Sequence, residues 1–238
     1  KFVTANPAAS LLRTIHYWSA QLFLVLTLLH RIDHLWKGSE VNIKKKSVWF
    51  RLTLSIVFTV YVMLSGFILK ADGDSLQAHR ILSSLVSSLP WIGTTLQQTF
   101  IGTEGNFQVL YIQHAATATV ILFVIIMEHA RSLKVNVRTL LITTTFITLL
   151  SFFFRAPING LNDAVMKGPW YFIGLQETLH WISNPLFVTI GLIILLTLIY
   201  LIPWIKPLHS RIIKQFLALM NVLCPGLSIT GFYFRVPM

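Results

Sequence analysis

The sequence predicts an all-α fold, a bundle of transmembrane helices, and three observations carry that reading. Of the 238 residues, 55% are hydrophobic and only 11% charged, whereas soluble globular chains carry about a quarter charged residues. The apolar residues fall into runs near 52–69, 120–127, 140–154, 186–205 and 212–234. Alone or with their neighbours, such runs are long enough to cross a hydrocarbon core of about 30 Å as helices. The basic residues, third, lie between these runs and recur in alternate connections: Lys37, Lys44, Lys45, Lys46 and Arg51, then Arg131, Lys134 and Arg138, then Lys206, Arg211 and Lys214. Cytoplasmic loops of membrane proteins collect Lys and Arg. The net charge of +11 is therefore read as topology and not as a nucleic-acid surface, because no helix or strand gathers it on one face. Asp72, Asp74, Glu104, Asp163 and Glu177 occupy the intervening, outer connections.

Element by element, the first span is expected over 11–36 and the second over 48–69, followed by a polar connection in which 79–89 is amphipathic and Pro90-Trp91-Ile92-Gly93 breaks the helix. The third span covers about 107–131 and the fourth 137–154. A turn-rich outer loop and a short amphipathic helix over 170–182 follow. The fifth span is 185–205. A sixth runs from Arg211 to about Phe234 and is kinked at Pro225-Gly226. Six spans place both ends of the sequence on the outer side. Cys224 is the only cysteine, so neither an internal disulfide nor a cysteine-based metal cluster is available within these residues. No internal repeat is visible.

Chemistry enters through histidine. His16 and His30 are fourteen residues apart on the first span, which leaves them within about 40° of one helix face and about 21 Å apart along the axis. His114 and His129, fifteen apart on the third span, are about 60° out of register and about 22 Å apart. With one helix between them, the two spans cross in the same direction. His16 then shares a level with His114 near the outer surface, and His30 with His129 near the inner. Two imidazoles facing across a bundle supply the axial ligands of a haem iron, so the pattern predicts two bis-histidine b-haems stacked across the membrane. Zinc fits less well, since it takes three or four protein ligands and nothing else clusters with either pair. A lone intramembrane histidine would more simply bond a neighbouring helix. A haem-free transporter or assembly subunit is the competing reading, against which stand apolar span centres and histidines placed toward the surfaces.

The order of Arg13-x-x-His16, His30, Leu64-Ser-Gly-Phe-Ile-Leu69, Pro90-Trp-Ile-Gly-Thr-Thr95, His114 and His129 resembles the cytochrome b family of quinol–cytochrome c oxidoreductases. The fourteen and fifteen spacings are similar to its chloroplast and Gram-positive branch. The resemblance begins at the family's second helix and implies a first helix ahead of it, which in some chloroplast-type relatives carries a cysteine for an extra haem. It divides the sequence into a haem-binding part, 1–136, and a part similar to subunit IV with three helices, 137–238. By resemblance Arg13 meets a haem propionate, for which a guanidinium is suited, Gly66 lets a haem approach the backbone, and Lys134 lies near an inner quinone. Asp33 and His34 are expected near a propionate or quinone, or in the headgroup layer; His79 and His209 are expected at the interface.

Three departures stand out. The family's second-span glycine that follows a tryptophan would fall near Leu52 and is absent. The Pro-Trp that normally ends that span is replaced by Lys70-Ala-Asp-Gly-Asp74. The outer-loop Pro-Glu-Trp-Tyr motif reads Gly168-Pro169-Trp170-Tyr171 here, with proline where the family's proton-accepting glutamate stands. Glu177 or His180 is the expected substitute, as a carboxylate or imidazole able to exchange a proton, the alternative being that both are interfacial polar residues facing water or a partner. The expected function is a di-haem cytochrome b subunit of a respiratory membrane complex, working with a quinone and with an iron–sulfur or multihaem cytochrome c partner. The expected place is a bacterial inner membrane. An anchor that passes electrons from an outer dehydrogenase or hydrogenase to quinone is the alternative.

Overall fold

The computed structural model describes residues 6–38, 45–131, 134, 136–158, 168–205, 210–217, 219 and 228. Among them every regular element is helical. Lys44, Asp163, Lys206, His209, Cys224 and the Pro225-Gly226 kink lie outside the described residues, as does most of the sixth span, of which 210–217 are helical.

Two units are distinguished. The first comprises 1–38 and 126–158, the second 39–125 and 159–238. In the first unit, α1 (Pro7–Trp36) begins where Asn6 accepts bonds from the Ala8 and Ala9 amides, with Pro7 in the first turn; a side-chain cap and an early proline are the usual helix-start chemistry. Asn136 caps α6 (Val137–Phe153) in the same way through the Arg138 amide. The carbonyls at the end of α6 have no helical partners of their own, and α1 supplies donors. Arg13 Nη2 bonds the Ala156 carbonyl at 2.5 Å and Trp18 Nε1 the Phe154 carbonyl at 2.7 Å. Thr14, 1% exposed, sits beneath this contact.

In the second unit, α2 (Lys46–Ile68) ends in a tight turn at Ala71, whose φ of 56° is left-handed. Across that turn Lys70 and Asp72 form a buried ion pair at 2.7 Å. Asp72 then opens α3 (Gly73–Ser87) through a capping box with Ser75. The box starts the helix six residues before the amphipathic pattern alone placed it, and turns Ser75, Ala78 and His79 into the core. α4 (Gly93–Phe100) follows, then the long α5 (Gln108–His129), which crosses from the second unit into the first. α7 (Trp170–Trp181) starts directly after Pro169, and α8 (Pro185–Leu201) runs into a 3₁₀ turn, Ile202–Trp204. Leu64, Ile68, Ala78, Leu110 and Phe172 form the core where α2, α3, α5 and α7 meet. Tyr171 Oη bonds the Met63 carbonyl, Trp49 Nε1 the Tyr200 carbonyl and Thr189 Oγ1 the Leu85 carbonyl.

Three helices among the described residues are long and apolar enough to cross a membrane: α2, α5, and α8 with its 3₁₀ turn. α6 is equally apolar but has 17 residues. α1, at 30 residues, is long enough but polar toward both ends. Phe123, Phe152 and Phe187 are exposed, as side chains that face lipid are.

A candidate di-haem scaffold

α5 is not a uniform helix. Residues Gln113–Ala118 form a π turn, and Thr119 Oγ1 bonds back to the carbonyl of His114, five residues earlier. A π turn takes one more residue than an α turn. One residue is also the difference between the fifteen-residue His114–His129 interval and the fourteen of His16 and His30. π turns occur often at functional positions, and this one contains His114.

His114 is held from α2. Its Nδ1 lies 3.0 Å from Ser65 Oγ. Gly66 has no Cβ, and one placed there would lie 2.8 Å from His114 Cε1 and 3.5 Å from both ring nitrogens. The close approach expected at Gly66 is thus made by the imidazole of a predicted ligand, lying against the α2 backbone. Ser65 is fully buried, so no water competes for its hydroxyl.

In the first unit His30 and His129 come together, their ring centroids 6.0 Å apart and their planes inclined by 67°. A metal–imidazole bond of about 2 Å on each side, with roughly 1.1 Å more from nitrogen to ring centre, puts two axial imidazoles about 6 Å apart, centre to centre. The spacing of the pair is therefore that of two imidazoles on one metal, and both residues are exposed. His34 adds a third imidazole, its centroid 4.4 Å from that of His30. Asp33 pairs instead with Lys37 at 2.8 Å on the exposed side of the helix. His16 is exposed on α1 in the first unit, and Arg13, expected at a propionate, bonds the Ala156 carbonyl. Lys134 is exposed.

The candidate outer proton groups separate. Glu177 is buried, at 5% exposure, on the inward face of α7, while His180 is exposed beside Trp181. Pro169 stands at the helix N-cap with extended backbone, a position that needs no amide donor. His79 differs from expectation: it is buried to 2% exposure, packed edge-on against Phe107, because the Asp72 cap starts α3 early enough to turn it inward. The nearby Ile101 carbonyl is not in hydrogen-bonding geometry with either ring nitrogen. Burial holds the imidazole below its ordinary pKa, opposed by the Glu104 carboxylate and the Ile101 carbonyl, while Arg80 adds to the lowering. Glu104 is itself lowered by its bond to Arg80, 2.6 Å away. Sequence reasoning missed Ser65, the π turn and the burial of His79. The Asp72-Gly-Asp-Ser75 capping signal could have revealed the last.

Membrane-crossing helices with histidines at fixed intervals belong to the class of bundles that hold a cofactor between side chains of facing helices. Comparison narrows it: residues 3–134 match the model of the cytochrome b/b6/petB family, and the chain belongs to that family. It is 24% identical over 243 aligned positions to the cytochrome b of Heterodon simus, with 86% of this chain aligned. The chain spans 64% of that relative's length. Its fold is similar to a chain of the solved "Hyperthermophilic respiratory Complex III", with a TM-score of 0.64 at 18% identity, covering 99% of this chain and 74% of that one.

Proposed function

We propose that this chain is the di-haem electron-carrying subunit of a respiratory membrane complex, moving electrons across the bilayer between a quinone pool and a redox partner on the outer side. The observation that carries the reading is the His30–His129 pair, one imidazole from α1 and one from α5 with ring centres 6.0 Å apart, in a member of the cytochrome b family. In this reading His30 and His129 hold the inner haem b, His16 and His114 the outer one, and each bound haem supplies a one-electron carrier. Arg13 serves a propionate of the outer haem by charge-assisted bonds, and Lys134 serves an inner quinone, either menaquinone or ubiquinone. Residues 1–136 form the haem-bearing part and 137–238 the part similar to subunit IV.

The partner is an iron–sulfur or multihaem cytochrome c protein, and the setting a bacterial inner membrane. Glu177 is the better-placed outer proton acceptor, since a buried carboxylate on α7 can meet a quinol hydroxyl away from bulk water, whereas His180 faces outward. Pro169, in the place of the family's glutamate, favours a second reading. There the chain anchors an outer dehydrogenase or hydrogenase and delivers its electrons to quinone. A dithionite-reduced minus oxidised spectrum with haem quantification tests the core of both: two b-haems per chain are expected, and a purified membrane-folded protein without a b-type alpha band refutes it. Quinol oxidation by the isolated complex, lost on Glu177→Gln, separates the first reading from the second.

A further inference from the structure

We infer that Ser65 is a positioning residue for the outer haem, fixing the tautomer and electron donation of its ligand His114. The inference rests on the di-haem reading above and deepens it. Ser65 Oγ has one proton and two nearby acceptors: the Val62 carbonyl, one turn back on α2 at 3.1 Å, and His114 Nδ1 at 3.0 Å. Serine in a helix commonly gives its proton to the carbonyl of the preceding turn. With that proton on Val62, the oxygen can only accept at Nδ1, so Nδ1 carries the hydrogen and Nε2 the lone pair. Which imidazole nitrogen binds a metal is set by the bond the other one makes.

Three further features make the arrangement specific. Ser65 is 0% exposed, so water cannot replace it. Gly66 beside it lets the ring lie against the helix, 2.8 Å from the position a Cβ would take, which limits the ring's rotation while the Nδ1 bond sets its tautomer. The Thr119 hydroxyl donates to the His114 carbonyl, which anchors the backbone from the other side. An acceptor at Nδ1 raises the basicity of the ligating nitrogen. More donation to iron favours the oxidised state, so Ser65 holds the outer haem at a lower reduction potential than an unsupported imidazole would give.

The test is redox titration and low-temperature EPR of the haem-loaded protein carrying Ser65→Ala or Ser65→Thr, with the outer haem identified as the one lost in His16→Ala. In Ser65→Ala the outer haem's reduction equilibrium is expected to shift up to ten-fold toward the reduced form, at most 59 mV for a one-electron couple, with changed EPR g-values and an unmoved inner haem. Ser65→Thr, which keeps the hydroxyl, restores the wild-type potential. Loss of only the outer haem in Ser65→Ala, with retention in Ser65→Thr, supports the same conclusion. An unshifted outer potential in Ser65→Ala, equal shifts of both haems, or a Ser65→Thr protein that behaves like Ser65→Ala overturns it. A wild-type protein without b-haem would instead refute the di-haem reading beneath.

Discussion

His114 and His129 stand on one helix, and their surroundings have little in common. His114 lies in a π turn, hydrogen-bonded to a buried serine and seated against a glycine of α2. His129 ends the helix, exposed, with the imidazole of His30 6.0 Å away. The first imidazole is held by groups of α2, while the second stands exposed at a helix end. A site whose ligands are held before the cofactor arrives binds it with less ordering cost, so under the proposed di-haem reading the two levels differ in kind and not only in depth.

The sharpest way to break that contrast is to remove the ligands. His114→Ala and His129→Ala are each expected to cost one haem of two, seen as a halved alpha band, and to leave the other haem spectrally intact. If both haems vanish in either variant, the two levels are not independent. On the intact protein, a haem scavenger should extract the inner haem first, by roughly the 10–100-fold that supporting partners contribute at metal sites. Equal extraction rates would mean that the Ser65 and Gly66 setting adds nothing to binding.

Gly66→Val probes the same setting from the backbone side. Its side chain meets His114 at a point where a Cβ alone would already be 2.8 Å away, and overpacking of this kind costs about 1–3 kcal/mol. The outer haem is expected to be lost or high-spin while the inner one is unaffected, and normal low-spin EPR from both haems would remove the glycine from the argument.

How far the residues themselves revealed this follows from which contacts are local. Helix positions were readable, because apolar run length fixes a membrane span and Asn6, Asn136 and Asn184 mark helix starts by local capping. The histidine spacings were readable for the same reason, being periodicities on one helix. Ser65 was not, since its role depends on meeting a side chain 49 positions away, and serine in an apolar helix carries no local signal. His79 was misplaced because the hydrophobic pattern starts later than the Asp72 cap. A cap outranks periodicity at a helix end, as it satisfies amide donors the pattern ignores.

The π turn offers a finer test. If it accommodates the fifteenth residue, deleting Ala116 should convert it to regular α-helix and leave His114 and His129 fourteen apart, as His16 and His30 are. Both haems should survive, with a small change in the outer haem's EPR signature. Inserting an alanine after Ala116 instead adds a residue that nothing accommodates and should cost the outer haem. If the deletion, like the insertion, abolishes that haem, the π turn has a role other than register.

The smallest effect lies away from the haem levels, at His79, and it turns on pH. Burial holds this imidazole below its ordinary pKa, so the unfolded chain binds the proton more readily than the folded one. Stability from keeping His79 neutral is then fully present above the unfolded value, about 6.5, and declines as pH falls from there through the lower folded value. Facing it, Arg80 lowers the pKa further, whereas Glu104, ionised throughout this window, opposes the shift. Glu104→Gln removes that opposition and should move the folded titration lower still, steepening the loss of thermal stability between about pH 6.5 and 5. His79→Phe, apolar and of similar shape, should flatten it. Melting curves of the three proteins in detergent over that range decide the matter, and a His79→Phe protein as acid-sensitive as the wild type would assign the dependence to another group.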